Sequence, residues 1–333
     1  MITRNKVYNF ALNQTTLLLF AALFVIFGSL APRFLSPSSF QGILYASSTL
    51  GIMAVGITLV LLTGGIDLSL GSNMYLTGVF GHLLLNVVEV PVWIAIPGAL
   101  MVGLAYGALN AVLVTRLKIV PFVATLGTLL MGRGLGLVIT RSISIDFPDS
   151  LTGLRNVAFL GIRLPVMVML AVMLLFHFVL TRTQFGRQMY AVGNNGEAAA
   201  KAGLRTTRIV AGAYVLCGLL ASLAGVVAMT RLGRFNPNFA AGDELFAIAA
   251  AVLGGASLFG GIGVILPGTL LGALMIPMVR SGLVFVGVDI YRERMVMFAI
   301  VFLAVFIDSI RKEQMEKRER RTIMKVDVEG ESR

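Results

Sequence analysis

Uninterrupted apolar stretches recur from one end of this chain to the other. Many reach ~18 residues, the length at which a helix crosses a hydrocarbon layer roughly 30 Å thick. The stretch 166–180 holds no Asp, Glu, Lys or Arg and lacks the strict alternation of a membrane β-barrel strand. Because only 13% of the 333 residues are charged, a water-soluble fold could not bury this surface. The sequence predicts an all-α, polytopic membrane protein.

Ten stretches are predicted to span the membrane, all within residues 1–310. They are 14–31, 42–63, 70–88, 93–115, 121–139, 164–181, 209–230, 244–259, 264–286 and 292–310. The first resembles a signal sequence. The basic residues of the later loops fall on the cytoplasmic side only if this helix is counted as a span, so it is predicted to be an uncleaved anchor. Residues 311–333 mix Lys, Arg and Glu without apolar periodicity and predict a polar, cytoplasmic tail.

Basic residues are concentrated in alternate loops, chiefly in 116–118, 182–208 and 311–333. By the positive-inside rule these loops face the cytoplasm, so both termini are predicted to be cytoplasmic. Insertion into a lipid bilayer therefore accounts for the net charge of +11, and no nucleic-acid partner is expected.

Two glycine-rich segments, Gly64–Gly71 and Gly254–Gly261, share the pattern GG-x-x-L-x-x-G. Both fall at predicted inner ends of spans, where glycines let helices break beside a cavity. They are either paired elements of one solute pathway or a coincidence in a chain rich in Gly and Leu. The residues predicted to form a translocation pathway or gate are Gly64, Gly65, Asp67, Ser69, Gly71, Gly254, Gly255 and Gly261.

Asp67 is the most informative charged residue, because it lies between two apolar segments and a buried charge is costly there. Unwound backbone and the hydroxyls of Thr63, Ser69 and Ser72 are expected to solvate its carboxylate. Two roles remain open. One is structural, with the side chain capping the next helix; the other is a direct role in gating or in the solute route.

Arg133 and Arg280 interrupt other apolar segments, where snorkelling or pairing inside the bundle competes with lining a pore. Asp308 lies so near the last predicted helix end that an interfacial position suffices. The side chains isolated in apolar stretches, which predict packing or pore lining rather than a metal site, are His82, His177 and Cys217.

No catalytic constellation is present. The sequence contains no Gly-Lys dipeptide, hence no P-loop, and neither H-E-x-x-H nor G-x-S-x-G. The chain is predicted not to be an enzyme and to bind no cofactor directly, so the energy for active transport must come from a partner or an ion gradient.

The longest interior loop, 183–208, contains a strong helix-forming stretch. This stretch, Glu197–Ala202, follows a predicted turn at Gly193 and Asn194 and ends at Gly203. A short helix closed at both ends by glycine suits rigid docking into a groove on a partner, although many such loops hold a plain surface helix.

This loop resembles the coupling loop of the branched-chain amino acid and monosaccharide permease family of ABC importers, G-R-x-x-x-A-x-G-x-N-x-x-A-A-x-x-x-G. The matching residues are Gly186, Arg187, Ala191, Gly193, Asn195, Ala198, Ala199 and Gly203. Gly64–Gly71 is similar to the GGIDLS-x-G of the sugar branch, with Leu70 where valine is common, and Pro121–Gly127 and Gly254–Gly261 match it further. The departures are Asn194 in place of a second glycine and the prolines Pro267 and Pro277 in the ninth span.

The resemblance implies a permease domain over 1–310 in the bacterial inner membrane. It implies an ATP-binding cassette subunit, a solute-binding protein and a second permease subunit as partners, with ATP bound by the cassette. Coupling to that ATPase is implied for Gly186, Arg187, Gly193, Asn195, Ala198, Ala199 and Gly203. The alternative is an ion-coupled secondary transporter of a small polar solute, which would place several ionisable groups near the midplane. The sequence leaves the solute open.

Overall fold

The protein is a helical bundle, seen here in a computed structural model that describes residues 15–289, 291–293, 295–300, 302–303 and 306. Its α-helices, labelled α1 to α12 in chain order, are Thr15–Leu30, Pro37–Leu62, Leu70–His82, Val92–Thr115, Pro121–Thr140, Asp149–Thr152, Leu164–Arg182, Gln184–Asn194, Gly196–Lys201, Thr206–Leu232, Asp243–Leu253 and Leu270–Phe285. Single turns of 3-10 or π-helix are Pro32–Leu35, Leu83–Val87, Gly153–Asn156 and Ile265–Thr269. The two-residue strands β1 to β4 are Ile145–Asp146, Ala158–Phe159, Ile162–Arg163 and Arg234–Phe235.

Within the described residues, six helical stretches are long and apolar enough to cross a membrane. They are α2, α4, α5, α7, α10 and α12 together with the turn that precedes it. The prediction of an all-α, multi-span protein is confirmed. Helix α1 is apolar but shorter, and α3 with its following turn covers the predicted span 70–88.

Two predicted spans need separate comment. Helix α11 ends at Leu253, short of the predicted boundary at 259, because a turn begins at Gly254 and Gly255 takes a φ of +94° that ends a helix. In the predicted span 292–310, the described residues 292–293, 295–300, 302–303 and 306 are helical. Asp308 and the tail 311–333 lie outside the described residues.

Helix α2 is the centre of the bundle, because every residue from Gly51 to Leu62 is buried. An apolar helix buried around its whole circumference must be surrounded by other helices rather than by lipid. Helix α10 packs on α4 through glycines: a Cβ at Gly218 would lie 2.6 Å from the backbone nitrogen of Gly107. Such small residues let two membrane helices approach closely.

A small antiparallel sheet joins two segments that were both predicted to lie outside the membrane. Strand β1 pairs with β4, and the Nε of Arg234 lies 3.4 Å from the carboxylate of Asp146. Helix α10 runs from the short helix α9 to this sheet over 27 residues, or about 40 Å at 1.5 Å per residue. The loop helices α8 and α9 and the β1–β4 sheet therefore lie at opposite ends of the bundle.

Candidate coupling and translocation site

Helix α8 is amphipathic and packs one face on the bundle. It begins where the Thr183 side chain accepts a hydrogen bond from the Gly186 N–H at 3.3 Å. Gly186, Met189 and Val192 are buried at a helical spacing, whereas Arg187 is exposed. The predicted turn at Gly193 and Asn194 was wrong. These residues continue α8, because burial of the apolar face outweighs their low helix propensity.

Helix α9 confirms the predicted helix Glu197–Ala202 to within one residue. The Asn195 side chain accepts the Ala198 N–H at 2.9 Å, and Gly203, with a φ of +85°, follows the helix. Ala198 is exposed, but Ala199 is only 5% exposed and packs into the chain's own core. A partner subunit could therefore touch Ala198 and not Ala199 in this conformation.

Gly193 lies against a hydrogen bond that connects the end of α2 with the second glycine-rich segment. The Gly261 N–H donates to the Leu62 carbonyl at 3.0 Å, at the end of α2. A Cβ on Gly193 would lie 2.5 Å from the Gly261 nitrogen and closer still to the Leu62 oxygen. Gly193 is not among the residues with positive φ, so close backbone approach, not the predicted turn conformation, requires glycine here.

Tyr190 anchors the same helix one turn earlier. Its hydroxyl donates to the Gly263 carbonyl at 2.6 Å, beside the second glycine-rich segment. Burial raises the pKa of the Tyr190 hydroxyl above its usual value, which keeps the group protonated as a donor. Sequence reasoning missed Tyr190, because a turn was predicted at Gly193 and Asn194 and not a helix that carries both residues.

The two glycine-rich segments meet at this point. Gly255, Gly260 and Gly261 have left-handed φ values of +94°, +94° and +72°. A Cβ on Gly260 would lie 2.7 Å from the Gly193 carbonyl oxygen and 3.2 Å from the Cα of Gly64. We call Gly64, Gly193, Gly260 and Gly261 the glycine junction. Gly254 lies elsewhere, packed on Gly268 in the turn before α12.

Asp67 lies in the non-helical segment between α2 and α3 and is 1% exposed. Its Oδ1 accepts hydrogen bonds from the Ser69 N–H at 2.8 Å and the Ser69 hydroxyl at 2.6 Å, just before α3 begins. Thr63 and Ser72, which were expected to contribute hydroxyls, instead donate to the carbonyls of Val60 and Ser69. Of the three predicted hydroxyls, only that of Ser69 solvates the carboxylate.

The remaining polar contacts of this cluster come from other helices. The Asn110 amide of α4 donates to the Ser69 hydroxyl at 2.8 Å, and its carbonyl oxygen accepts from the Thr128 hydroxyl of α5 at 2.8 Å. Both residues are buried. Sequence reasoning missed them, although an asparagine in an apolar span such as Asn110 is a signal of interhelical hydrogen bonding. Donors of the chain itself therefore satisfy the Asp67 carboxylate, which favours the structural role.

The other predicted pathway glycines contact neighbouring helices closely. A Cβ on Gly65 would lie 2.5 Å from the Tyr214 hydroxyl of α10. A Cβ on Gly71 would collide with the Ala240 carbonyl and with the Glu244 carboxylate of α11. These glycines thus hold the start of α3 against α10 and α11.

Arg133 finds its partners inside the bundle, whereas the Arg280 side chain is paired but 53% exposed. Arg133 donates to the Phe239 carbonyl at 2.7 Å, and its guanidinium lies 4.9 Å from the centre of the Tyr75 ring. Arg280 forms an ion pair with Glu293 at 2.7 Å. For Arg133 these contacts favour pairing inside the bundle over lining a pore. For Arg280, which also lines a cavity, both alternatives stay open.

Comparison with known proteins agrees with this architecture. The ribose import permease protein of Escherichia coli (strain K12) is 39% identical over 303 residues, which cover 90% of this chain and 94% of that protein. The D-allose transport system permease protein of the same strain is 35% identical over 92% of this chain and 96% of that protein. The L-arabinose ABC transporter permease protein of Azospirillum brasilense is 33% identical, with coverages of 93% and 91%.

No solved structure matches the chain. The pattern of one protein family, however, matches residues 39–305, which include α2 from Ser39 onward, α3 to α12, both glycine-rich segments and the polar cluster around Asp67. That match covers most of the 333 residues. The chain belongs to the family of permease components of branched-chain amino acid transport systems.

Proposed function

We propose that this chain is the membrane-spanning permease subunit of a bacterial ABC importer that carries a sugar or sugar-like solute across the inner membrane. The names of its relatives refer to ribose, allose and arabinose. In this proposal ATP is bound and hydrolysed by a separate cassette subunit, and the permease holds no cofactor. A solute-binding protein delivers the solute, and a second permease subunit completes the pathway.

The observation that carries the proposal is the contact of α8 with the glycine junction. Exposed groups on α8 and α9, such as Arg187 and Ala198, offer a surface to the cassette. The opposite face of α8 touches Leu62 and Gly261 through Gly193. A displacement of α8 by the cassette would therefore move α2 and the segment between α11 and α12 directly, because α8 contacts both.

The topology of the proposal has ten spans and both termini in the cytoplasm. It is supported by the separation of α8 and α9 from the β1–β4 sheet along α10, and by the basic residues around α8 and α9. The cassette then binds at α8 and α9, and the solute-binding protein meets the end that carries the sheet.

The test is reconstitution. The permease is purified with the ATPase and binding protein of neighbouring genes and placed in proteoliposomes, and ATP hydrolysis and uptake of labelled ribose, allose and arabinose are measured. We expect uptake that requires ATP and the binding protein. Uptake driven by a sodium or proton gradient without ATP would contradict the proposal and favour the secondary transporter.

A further inference from the structure

A cavity of about 440 Å³ opens between α2, α10, α11 and α12. Each helix contributes the part that is distant from the glycine junction: the first half of α2, the end of α10, the start of α11 and the second half of α12. The cavity therefore lies toward the end of the bundle that carries the β1–β4 sheet. Its polar and aromatic lining includes Ser39, Thr49, Arg231, Asp243, Phe246 and Arg280.

The charges around this cavity are balanced. Arg280 is paired with Glu293 at 2.7 Å, and Arg231 donates to the carbonyls of Tyr45 and Ala46 at 3.0 and 2.9 Å. Among the residues the structure describes, no ion pair joins Asp243 to either arginine. The cavity lining thus carries Arg231, Arg280 and Asp243, and Glu293, which is not part of the lining, neutralises Arg280. The Asp243 carboxylate keeps acceptor capacity for an occupant. This balance favours an uncharged, hydrogen-bonding occupant over an anion.

Phe246 adds an apolar surface beside these polar groups. The Arg280 guanidinium lies 5.8 Å from the centre of the Phe246 ring, so a charged donor and an aromatic face adjoin each other. Ligand pockets combine apolar and aromatic walls with a few placed polar groups, and span roughly 300–1,000 Å³. A sugar ring matches this lining, because its C–H face packs on an aromatic ring while its hydroxyls bond to charged groups.

We propose that this cavity is a binding station for one uncharged, polyhydroxylated ring inside the permease. Asp243 accepts hydrogen bonds from the hydroxyls of the solute, Arg280 donates to them, and Phe246 packs on one face of the ring. The station rests on the proposed function, since it takes the solute to be a sugar. A phospholipid headgroup, whose phosphate would attract the arginines, is the occupant that the test must exclude.

The first experiment labels cysteines that are introduced into the chain. The single native cysteine, Cys217, is fully buried and should not react with the reagent. Ser281 lines the cavity, and Ser150 is an exposed residue away from it. Ser281→Cys and Ser150→Cys permeases, each in complex with the ATPase and binding protein in nanodiscs, are labelled with an impermeant methanethiosulfonate. Saturating ribose, allose or arabinose should slow labelling of Ser281→Cys severalfold and leave Ser150→Cys unchanged.

Unchanged labelling of Ser281→Cys with all three sugars would overturn the station. So would protection that appears only in nanodiscs containing phosphatidylglycerol and does not respond to sugar, because a lipid headgroup would then be the occupant.

The second experiment separates binding from folding. Asp243→Asn and Phe246→Leu should each lower sugar uptake roughly tenfold, the loss expected for one hydrogen bond to a charged group or one buried ring contact. ATP hydrolysis stimulated by the loaded binding protein should persist, and the preference among the three sugars should change. Arg155→Gln, at an exposed arginine outside the cavity, is the control for charge and expression.

A parallel loss of uptake and ATP hydrolysis, or uptake at the wild-type rate, would refute the station. Uptake by the wild-type complex that requires neither ATP nor the binding protein would instead refute the proposed function, so the two results can be told apart.

Discussion

Replacing Gly193 by alanine adds one carbon atom at the place where α8 meets both glycine-rich segments. The new Cβ would lie 2.5 Å from the Gly261 nitrogen and still closer to the Leu62 oxygen. Ordinary van der Waals contact begins near 3.4 Å, so the Gly261 nitrogen must move away by about 1 Å and the Leu62 oxygen by more. Neither neighbour is a flexible side chain that can rotate away.

The expected magnitude follows from this overlap. Inserting a methyl group into a well-packed site costs about 1–3 kcal/mol. If that energy is taken from the conformation in which α8 contacts the junction, the equilibrium between coupled and uncoupled states shifts roughly 5- to 150-fold. We therefore expect Gly193→Ala to lower sugar-stimulated ATP hydrolysis and uptake within this range, and Gly193→Val to abolish both.

The assay compares reconstituted complexes at equal permease content. Gly153→Ala is the matched control, because Gly153 lies outside the α8–α9 surface, has no positive φ, and would meet nothing within 4 Å of an added Cβ. This control should retain wild-type activity. Normal stimulation and uptake in Gly193→Ala would refute the claim that close backbone contact at the junction transmits the action of the cassette.

Three further predictions concern the polar cluster, the second anchor of α8 and the topology. Asp67→Asn keeps an oxygen acceptor and should retain most uptake, whereas Asp67→Leu should lose both uptake and protein level, since an unpaired buried donor costs about 1–3 kcal/mol; loss of uptake in Asp67→Asn at normal abundance would show a direct role for the charge. Tyr190→Phe removes the donor to Gly263, worth about 1 kcal/mol, and should lower stimulated ATP hydrolysis severalfold without lowering abundance; full stimulation would exclude Tyr190 as an anchor. Reporter fusions at Ser150 should be active in the periplasm and those at Gly196 in the cytoplasm, and the reverse pattern would overturn the proposed orientation.

The spans were predictable because membrane crossing depends on local composition. Continuous apolar stretches set the positions of α2, α4, α5, α7 and α10 without knowledge of their neighbours. Helix α8 was not predictable in this way. Gly193 and Asn194 favour a turn when read alone, and only the burial of Met189 and Val192 against the bundle makes the segment helical.

In the candidate site too, contacts within a short motif were predictable, and contacts between separate helices were not. Asp67 and Ser69 are two residues apart, so their hydrogen bonds could be expected from a short motif. Asn110 and Thr128 come from α4 and α5, and no local pattern indicates that they complete the cluster. The same holds for Gly193: its family motif marks the residue, but the neighbour that forbids a side chain is the end of α2.

Helix α2 connects the glycine junction with the cavity that is proposed to bind the solute. It is a single helix of 26 residues, about 39 Å long. Its last residue, Leu62, contacts the glycine junction, and Thr49 lines the cavity between α2, α10, α11 and α12. From Gly51 to Leu62 it is buried on all sides, so it cannot bend locally without opening voids in the bundle. If α8 displaces Leu62 as proposed, the rigid helix would carry that displacement to Thr49, and the shape of the proposed binding cavity would change.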